Sequence, residues 1–126
     1  MSKVFIIDDD PIHQRIAQLM ISKHLLFKEF KSFLQAGDAL KFLEENKESF
    51  DELPDVILLD LNMPVIDGWK FLDLYEKLHN SLVKKIRIFI VSSSVDEKDI
   101  SRSQSYATVE GFISKPLSAE VIRKAL

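Results

Sequence analysis

Three aspartates, a serine and a lysine follow closely on short apolar runs at separate points of the chain. They are Asp8, Asp9, Asp60, Ser92 and Lys115. If those runs are parallel strands of one sheet, their carboxyl ends share an edge, and open α/β sheets bind ligands at such edges. Three carboxylates gathered there repel one another, and one lysine cannot balance them, so these residue types favour a bound Mg²⁺. An aspartate can also act as a nucleophile and form an aspartyl phosphate, which indicates phosphoryl chemistry.

The apolar runs predict the strands that position these residues. Residues 4–7, 56–59, 88–91 and 112–113 form short, continuous, largely β-branched runs, which are typical of strands buried on both faces. A weaker strand pattern covers Glu29–Phe33. Helical spacing separates the runs, so the alternation predicts an α/β fold with a doubly wound, five-stranded parallel sheet flanked by helices.

The first helix has the clearest start, because Asp10 can cap it and Pro11 suits its first position. One face of this helix, which we expect to pack on the sheet, then carries four apolar residues and one lysine: Ile12, Ile16, Leu19, Met20 and Lys23. The remaining amphipathic patterns begin near residues 37, 68 and 118. Residues 94–106 contain few large apolar side chains and predict a loop followed by a weakly anchored helix.

Composition limits the class of protein. The chain has 126 residues, a net charge of −3, 46% hydrophobic residues and no cysteine, so we expect one soluble domain over residues 1–126. The absence of cysteine excludes disulfide scaffolds and thiolate chemistry. No apolar run approaches the roughly 20 residues of a membrane-spanning helix, and no signal peptide is evident, so we expect a cytoplasmic protein without a membrane role. The acidic balance argues against a nucleic-acid-binding face.

Four blocks of the sequence resemble those of response regulator receiver domains of two-component signalling. Residues 6–11, 58–68, 91–93 and 112–116 read IIDDDP, LLDLNMPVIDG, VSS and FISKP. They occur in the family's order, and the similarity covers essentially the whole chain. The resemblance implies the flavodoxin-like receiver fold.

The resemblance also implies a role for each residue of the acidic site. Asp60 would accept the phosphoryl group. Mg²⁺ would be bound by Asp9, Asp60 and the backbone carbonyl of Asn62, with Asp8 acting largely through water. Lys115 would pair with Asp60 and then with the phosphoryl group.

For residues at the margin of the site, the resemblance implies roles in switching and in hydrolysis. Ser92 takes the position of the hydroxyl that turns toward the phosphoryl oxygens, and Phe112 that of the aromatic whose rotamer reports activation. Asn62 and Ser94 would flank the water that hydrolyses the aspartyl phosphate. The family usually has the peptide bond between Lys115 and Pro116 in cis.

We expect a histidine kinase or a phosphotransfer protein to present phosphohistidine to this domain. The domain would assist its own phosphorylation and dephosphorylation without being an enzyme, and phosphorylation would alter a face that binds an unknown downstream protein. No output domain is recognised within residues 1–126. A weak homodimer through the last helix and strand is left open.

Two other functions account for part of the pattern. A phosphohydrolase like the haloacid dehalogenases would use Asp8 as nucleophile and Asp10 as acid/base, but it leaves the block around Asp60 unexplained. A pseudo-receiver, which binds partners without phosphorylation, usually lacks an aspartate or the lysine, and neither is missing here. His13 lies near the acidic residues in sequence but shares no metal-ligand spacing with the other histidines.

Overall fold

Strands and helices alternate along the chain. The computed structural model describes residues 3–63, 65–93 and 96–126. Its strands are β1 (Lys3–Ile7), β2 (Glu29–Phe33), β3 (Val56–Asp60), β4 (Arg87–Ser92) and β5 (Val109–Ser114). Its helices are α1 (Pro11–Lys23), α2 (Ala36–Glu45), α3 (Gly68–Leu78), α4 (Glu97–Gln104) and α5 (Ala119–Ala125), with one 3-10 turn at His79–Ser81.

The five strands form one parallel sheet in the order β2-β1-β3-β4-β5. The chain moves outward from β1 to β2, returns past β1 to β3, and then proceeds to the other edge. The strand order therefore reverses between β1 and β3, and their carboxyl ends border the crevice in which such sheets bind ligands. The doubly wound α/β prediction is confirmed, including the weaker strand β2.

Alternate residues of the central strands enter two apolar clusters, one on each face of the sheet. In β1, Phe5 and Ile7 belong to the cluster covered by α2 and α3, whereas Val4 and Ile6 belong to the cluster covered by α1 and α5. Strands β3 and β4 alternate in the same way. Burial on both faces explains why these runs are continuously apolar.

The predicted inward face of α1 is wrong at three of its apolar positions, whereas Met20 packs against the cluster covered by α1 and α5. Ile12, Ile16 and Leu19 are 70%, 52% and 54% exposed. The residues of α1 buried against the sheet are Gln14, Ala17 and Ile21. Val121 of α5 likewise is more exposed than its spacing indicated, although Ile122 is buried as predicted.

A buried amide explains the rotation of α1. The Nε2 atom of Gln14 lies 2.9 Å from the carbonyl oxygen of Ile6 and 3.0 Å from those of Asp8 and Phe33. Gln14 is 3% exposed, so these contacts replace water at the ends of β1 and β2. The small side chain of Ala17 then lets the helix approach the sheet, and the three larger apolar residues remain outside.

Aspartate side chains cap the starts of α1 and α3. Asp10 Oδ1 accepts a hydrogen bond from the Ile12 amide at 2.8 Å, and Asp67 Oδ1 accepts one from the Lys70 amide at 2.8 Å. Helix α4 buries one side chain, that of Ser103, in keeping with its predicted weak anchoring. Among the described residues, no helix has both the length and the apolar character that crossing a membrane requires.

Candidate functional site

The carboxyl ends of β1 and β3 bring the predicted aspartates together. Ile7 pairs with Leu59 in adjacent strands, so the residues that follow them are neighbours. One carboxylate oxygen from each of Asp8, Asp9 and Asp60 lies within 4.8 Å of the others. Asp8 and Asp60 are 6% and 7% exposed, whereas Asp9 is more open to solvent. The expected convergence at one sheet edge is confirmed.

Backbone amides hold two of these carboxylates in place. Asp8 Oδ1 accepts a hydrogen bond from the Asp10 amide at 2.9 Å, and Asp60 Oδ1 accepts one from the Asn62 amide at 3.5 Å. Asp10 is engaged as the cap of α1, as predicted, and does not join the group of three carboxylates.

The start of α3 lies against the end of β3. The Gly68 amide donates to the carbonyl oxygen of Leu61 at 2.9 Å. A Cβ atom on Gly68 would lie 2.7 Å from the carbonyl oxygen of Asp60 and 2.8 Å from Leu61 Cα, closer than real Cβ atoms approach. Only glycine lets the backbone that carries Asp60 approach this helix so closely.

Lys115 enters the site from the end of β5. Its Nζ atom lies 3.1 Å from Asp8 Oδ2 and 3.7 Å from Asp60 Oδ1, and its side chain is 14% exposed. Its amide donates to the carbonyl oxygen of Ser92 at 2.8 Å, which fixes the loop beside β4. The peptide bond between Lys115 and Pro116 is cis, as the resemblance implies.

The residues predicted for switching lie on β4 and β5. Ser92 is the last residue of β4 and is fully buried, one position beyond Val91, which pairs with Asp60. Phe112 is half-buried and packs against the cluster under α2 and α3. Ser94 lies outside the described residues. Asn62 follows Asp60 closely and is exposed.

A cavity of about 370 Å³ opens beside the carboxylates. Asp60, Lys115, His13 and Ser93 lie at its polar end. Asp8 also lines the cavity, and the remaining lining residues are apolar: Ile6, Ile7, Ile16, Ala17, Leu58, Val91, Pro116 and Leu117. The cavity beside Asp60 therefore combines polar and apolar lining residues.

Burial and like charge set the acidity of Asp60. Burial, and after it the neighbouring charge of Asp8, raises the pKa of Asp60 to about 6, against the opposing effect of Lys115. Excess negative charge thus remains in the cluster. Oxygen donors alone, arranged around an uncompensated charge, match the ligand preference of Mg²⁺.

His13 also reaches the site, which the sequence pattern did not establish. Its Nδ1 atom lies 3.0 Å from Lys115 Nζ, a contact between the first turns of α1 and the end of β5. One feature of the sequence did point to this contact: position 13 lies about one turn beyond the acidic loop, on a helix whose start was predicted. The spacing of the three histidines gave no sign of this contact, because no other histidine takes part in it.

The family model described as "Response regulator receiver domain" matches residues 4–126. The chain belongs to this family. A two-component response regulator of rice, ORR1 (Oryza sativa subsp. japonica), is 29% identical over 126 residues, which cover 98% of this chain and 53% of that protein. The chain thus spans about half the length of ORR1, and 16% of the length of another rice response regulator, ORR22.

Solved receiver structures have the same fold. A two-component response regulator from Cytophaga hutchinsonii has a TM-score of 0.89 at 28% identity, covering 99% of this chain and 93% of that one. The receiver domain of the histidine kinase CKI1 from Arabidopsis thaliana, in complex with Mg²⁺ and BeF₃⁻, has a TM-score of 0.81 at 26% identity, covering 98% of this chain and 89% of that one. The chain is therefore similar to response regulators and their receiver domains in both sequence and fold.

Proposed function

We propose that this receiver accepts a phosphoryl group on Asp60, in a Mg²⁺-dependent transfer from the phosphohistidine of a histidine kinase or phosphotransfer protein. The observation that carries the proposal is the convergence of three carboxylates within 4.8 Å beside Lys115. Asp60 is the carboxylate that stands at the end of the central strand β3 and faces both Asp8 and the lysine.

The residues present fit a magnesium ion. Asp9, Asp60 and the backbone carbonyl of Asn62 would hold it directly, and Asp8 would act largely through water. Burial and, after it, the charge of Asp8 raise the pKa of Asp60, and a divalent cation would favour the ionised carboxylate by offsetting that repulsion. When bound, the ion supplies positive charge for the oxygens of the transferring phosphoryl group.

The chain contributes the nucleophile and a fixed cation. A carboxylate oxygen of Asp60 attacks phosphorus in line, the bond from phosphorus to the donor imidazole nitrogen breaks, and the imidazole leaves with that electron pair. Lys115 stabilises charge on the phosphoryl oxygens, so the domain acts by positioning and electrostatics. It assists its own phosphorylation and dephosphorylation and is a signalling protein, not an enzyme.

Phosphorylation then alters the surface beside β4. The Ser92 hydroxyl turns toward the phosphoryl oxygens, and Phe112 changes its rotamer as the adjoining loop and α4 move. Helix α4 suits this role because only Ser103 of its side chains is buried. Asn62 and Ser94 would tune the lifetime of the phosphoryl group, because both flank the approach of water in the family.

The partners follow from this role. A histidine kinase or phosphotransfer protein docks to deliver the phosphoryl group, and an unidentified downstream protein reads the altered face. With a net charge of −3, the domain would bind neither nucleic acid nor membrane, and it would work in the cytoplasm. A weak homodimer would form through β5 and α5.

The test is phosphorylation by acetyl phosphate followed by intact mass spectrometry. We expect the wild-type protein to gain one phosphoryl group in Mg²⁺ and none when the metal is chelated. Asp60→Asn should abolish the gain. Asp10→Asn is the matched control, since asparagine keeps the helix cap while removing a neighbouring carboxylate, and it should be labelled normally. Labelling that persists in Asp60→Asn, or is lost in Asp10→Asn, would contradict the proposal.

A further inference from the structure

The ammonium group of Lys115 lies at unequal distances from three side chains in the described part of the chain. Its Nζ atom lies 3.0 Å from His13 Nδ1 and 3.1 Å from Asp8 Oδ2, but 3.7 Å from Asp60 Oδ1. The first two are hydrogen-bond distances and the third is not. The ammonium group is therefore held on the α1 side of the site, at a distance from the carboxylate proposed as phosphoacceptor.

The contact with Lys115 constrains the tautomer of the neutral His13 ring. A lysine ammonium group is a donor only, so in a hydrogen bond between the two groups Nδ1 of the neutral ring accepts and the ring hydrogen lies on Nε2. The same Nδ1 atom lies 3.6 Å from Asp8 Oδ2 and 3.5 Å from Asp10 Oδ2, beyond good hydrogen-bond length. A proton on Nδ1 would face the ammonium group at 3.0 Å, so pairing with Lys115 is the arrangement that the distances favour.

We propose that His13 is a positioning residue for Lys115, and this rests on the proposed phosphorylation of Asp60. By accepting from the ammonium group, Nδ1 keeps it from closing onto Asp60 as a tight ion pair. The carboxylate oxygen then stays available for attack, and the gap between it and Nζ is where an oxygen of the incoming phosphoryl group enters. Lys115 meets that oxygen already oriented, which is the preorganisation that phosphoryl transfer depends on.

Two substitutions of His13 distinguish the effect of its hydrogen-bond acceptor from the effect of its side-chain volume. The Oδ1 atom of asparagine occupies the place of Nδ1, whereas leucine has a similar branched shape and no acceptor. We expect His13→Leu to lower the rate constant for phosphorylation at saturating acetyl phosphate and Mg²⁺ by about three- to tenfold. His13→Asn should keep most of the wild-type rate constant, because asparagine retains an acceptor at this place. His24→Leu, an exposed histidine at the other end of α1, should match the wild type.

The Lys115→Ala background provides the decisive comparison. If His13 acts through the lysine, His13→Leu should cause no further loss when Lys115 is already alanine. An equal loss in both backgrounds, or an unchanged rate in the single variant, would overturn the proposal. Saturating Mg²⁺ in every measurement keeps a change in metal affinity from entering the rate constant.

A measurement on the unphosphorylated protein tests the contact independently. Long-range proton–nitrogen NMR of His13 should report the Nε2–H tautomer in the wild type, and a change of the nitrogen signals in Lys115→Ala. An Nδ1–H tautomer would overturn the proposal even if Asp60 is phosphorylated. Conversely, a wild-type protein that shows the expected tautomer but takes up no phosphoryl group would refute the proposed function and leave the contact standing.

Discussion

At the scale of single residues, Asp60 combines burial with repulsion. It is 7% exposed and lies beside Asp8, and both features raise its pKa to about 6. Lys115 compensates only partly because its nitrogen is closer to Asp8 than to Asp60. Without a metal ion, the folded protein therefore bears a cost for keeping Asp60 ionised at neutral pH.

This cost predicts that Asp60→Asn stabilises the metal-free protein. Because the folded-state pKa is raised from 3.8 to about 6, Asp60 favours folding most below its unfolded-state pKa and loses that contribution as pH rises through the folded value. The full shift, reduced for solvent screening, gives a gain for the variant of about 1–2 kcal/mol at pH 7. The gain should vanish near pH 4.

Urea unfolding in a chelator at the two pH values measures this difference. Glu48→Gln, on an exposed loop away from the sheet edge, serves as the control and should change little at either pH. A variant that is less stable than the wild type at pH 7 would show that Asp60 is not under electrostatic strain.

Sequence reasoning located the residues of the acidic site because they occupy strand ends. Asp8, Asp9 and Asp60 directly follow apolar runs, and the carboxyl ends of parallel strands lie at one edge of a sheet, so their positions in the sequence were enough to predict that they meet. It could not locate His13 beside Lys115, since that contact depends on a side-chain rotamer and on the rotation of α1. The spacing of Ser92 likewise gives its strand position and not the direction of its hydroxyl.

At the scale of elements, the junction between β3 and α3 determines where Asp60 stands. The helix begins at Gly68, eight residues after the strand ends, and packs directly on the backbone of Asp60 and Leu61. The Asp67 cap directs the chain into α3 at this point. Any side chain at position 68 has to displace backbone atoms of the candidate phosphoacceptor.

Gly68→Ala should therefore destabilise the fold and disturb the site. The added Cβ would lie 2.7 Å from the carbonyl oxygen of Asp60, so we expect a loss of about 1–3 kcal/mol in the free energy of unfolding, together with weaker Mg²⁺ binding. Gly37→Ala is the matched control, because its Cβ would lie 3.5 Å from Ile66 Cδ1, an ordinary contact. Urea unfolding should show the control to be neutral or slightly more stable.

Equal stability of the two alanine variants would contradict the close approach of α3 to β3.

The orientation of α1 shows what the sequence pattern could not predict. The apolar spacing of Ile12, Ile16 and Leu19 indicated a buried face, but the amide of Gln14 determines the rotation. Hydrophobic periodicity cannot reveal a polar side chain whose partners are carbonyl groups on two separate strands.

At the scale of the whole molecule, two unequal sets of contacts hold the fold. Apolar clusters on both faces of the sheet secure the central strands, whereas α4 depends on contacts at its surface. Tyr106 donates to Asp73 at 2.7 Å and stacks on Trp69, with Arg102 over the indole ring. The alternation of strand and helix patterns in the sequence was enough to predict the sheet. The contacts of α3 with α4 and the residues after it leave no periodic pattern in the sequence, so they could not be predicted in the same way.

Mg²⁺ should stabilise the whole molecule because it binds the folded site and not the dispersed aspartates of the unfolded chain. At a concentration about 100 times its dissociation constant, the expected gain is about 2.7 kcal/mol, measured as a rise in the thermal midpoint. Asp9→Asn should lose most of the rise. Glu48→Gln should keep it, and an equal rise in both variants would place the ion elsewhere.

The most direct test of the account is to locate the phosphoryl group on the wild-type chain. Borohydride reduces an aspartyl phosphate to homoserine, which peptide mass spectrometry can assign to one position after treatment with acetyl phosphate and Mg²⁺. We predict homoserine at position 60 and at no other aspartate. Homoserine at position 8, the nucleophile of the phosphohydrolase alternative, would contradict the account.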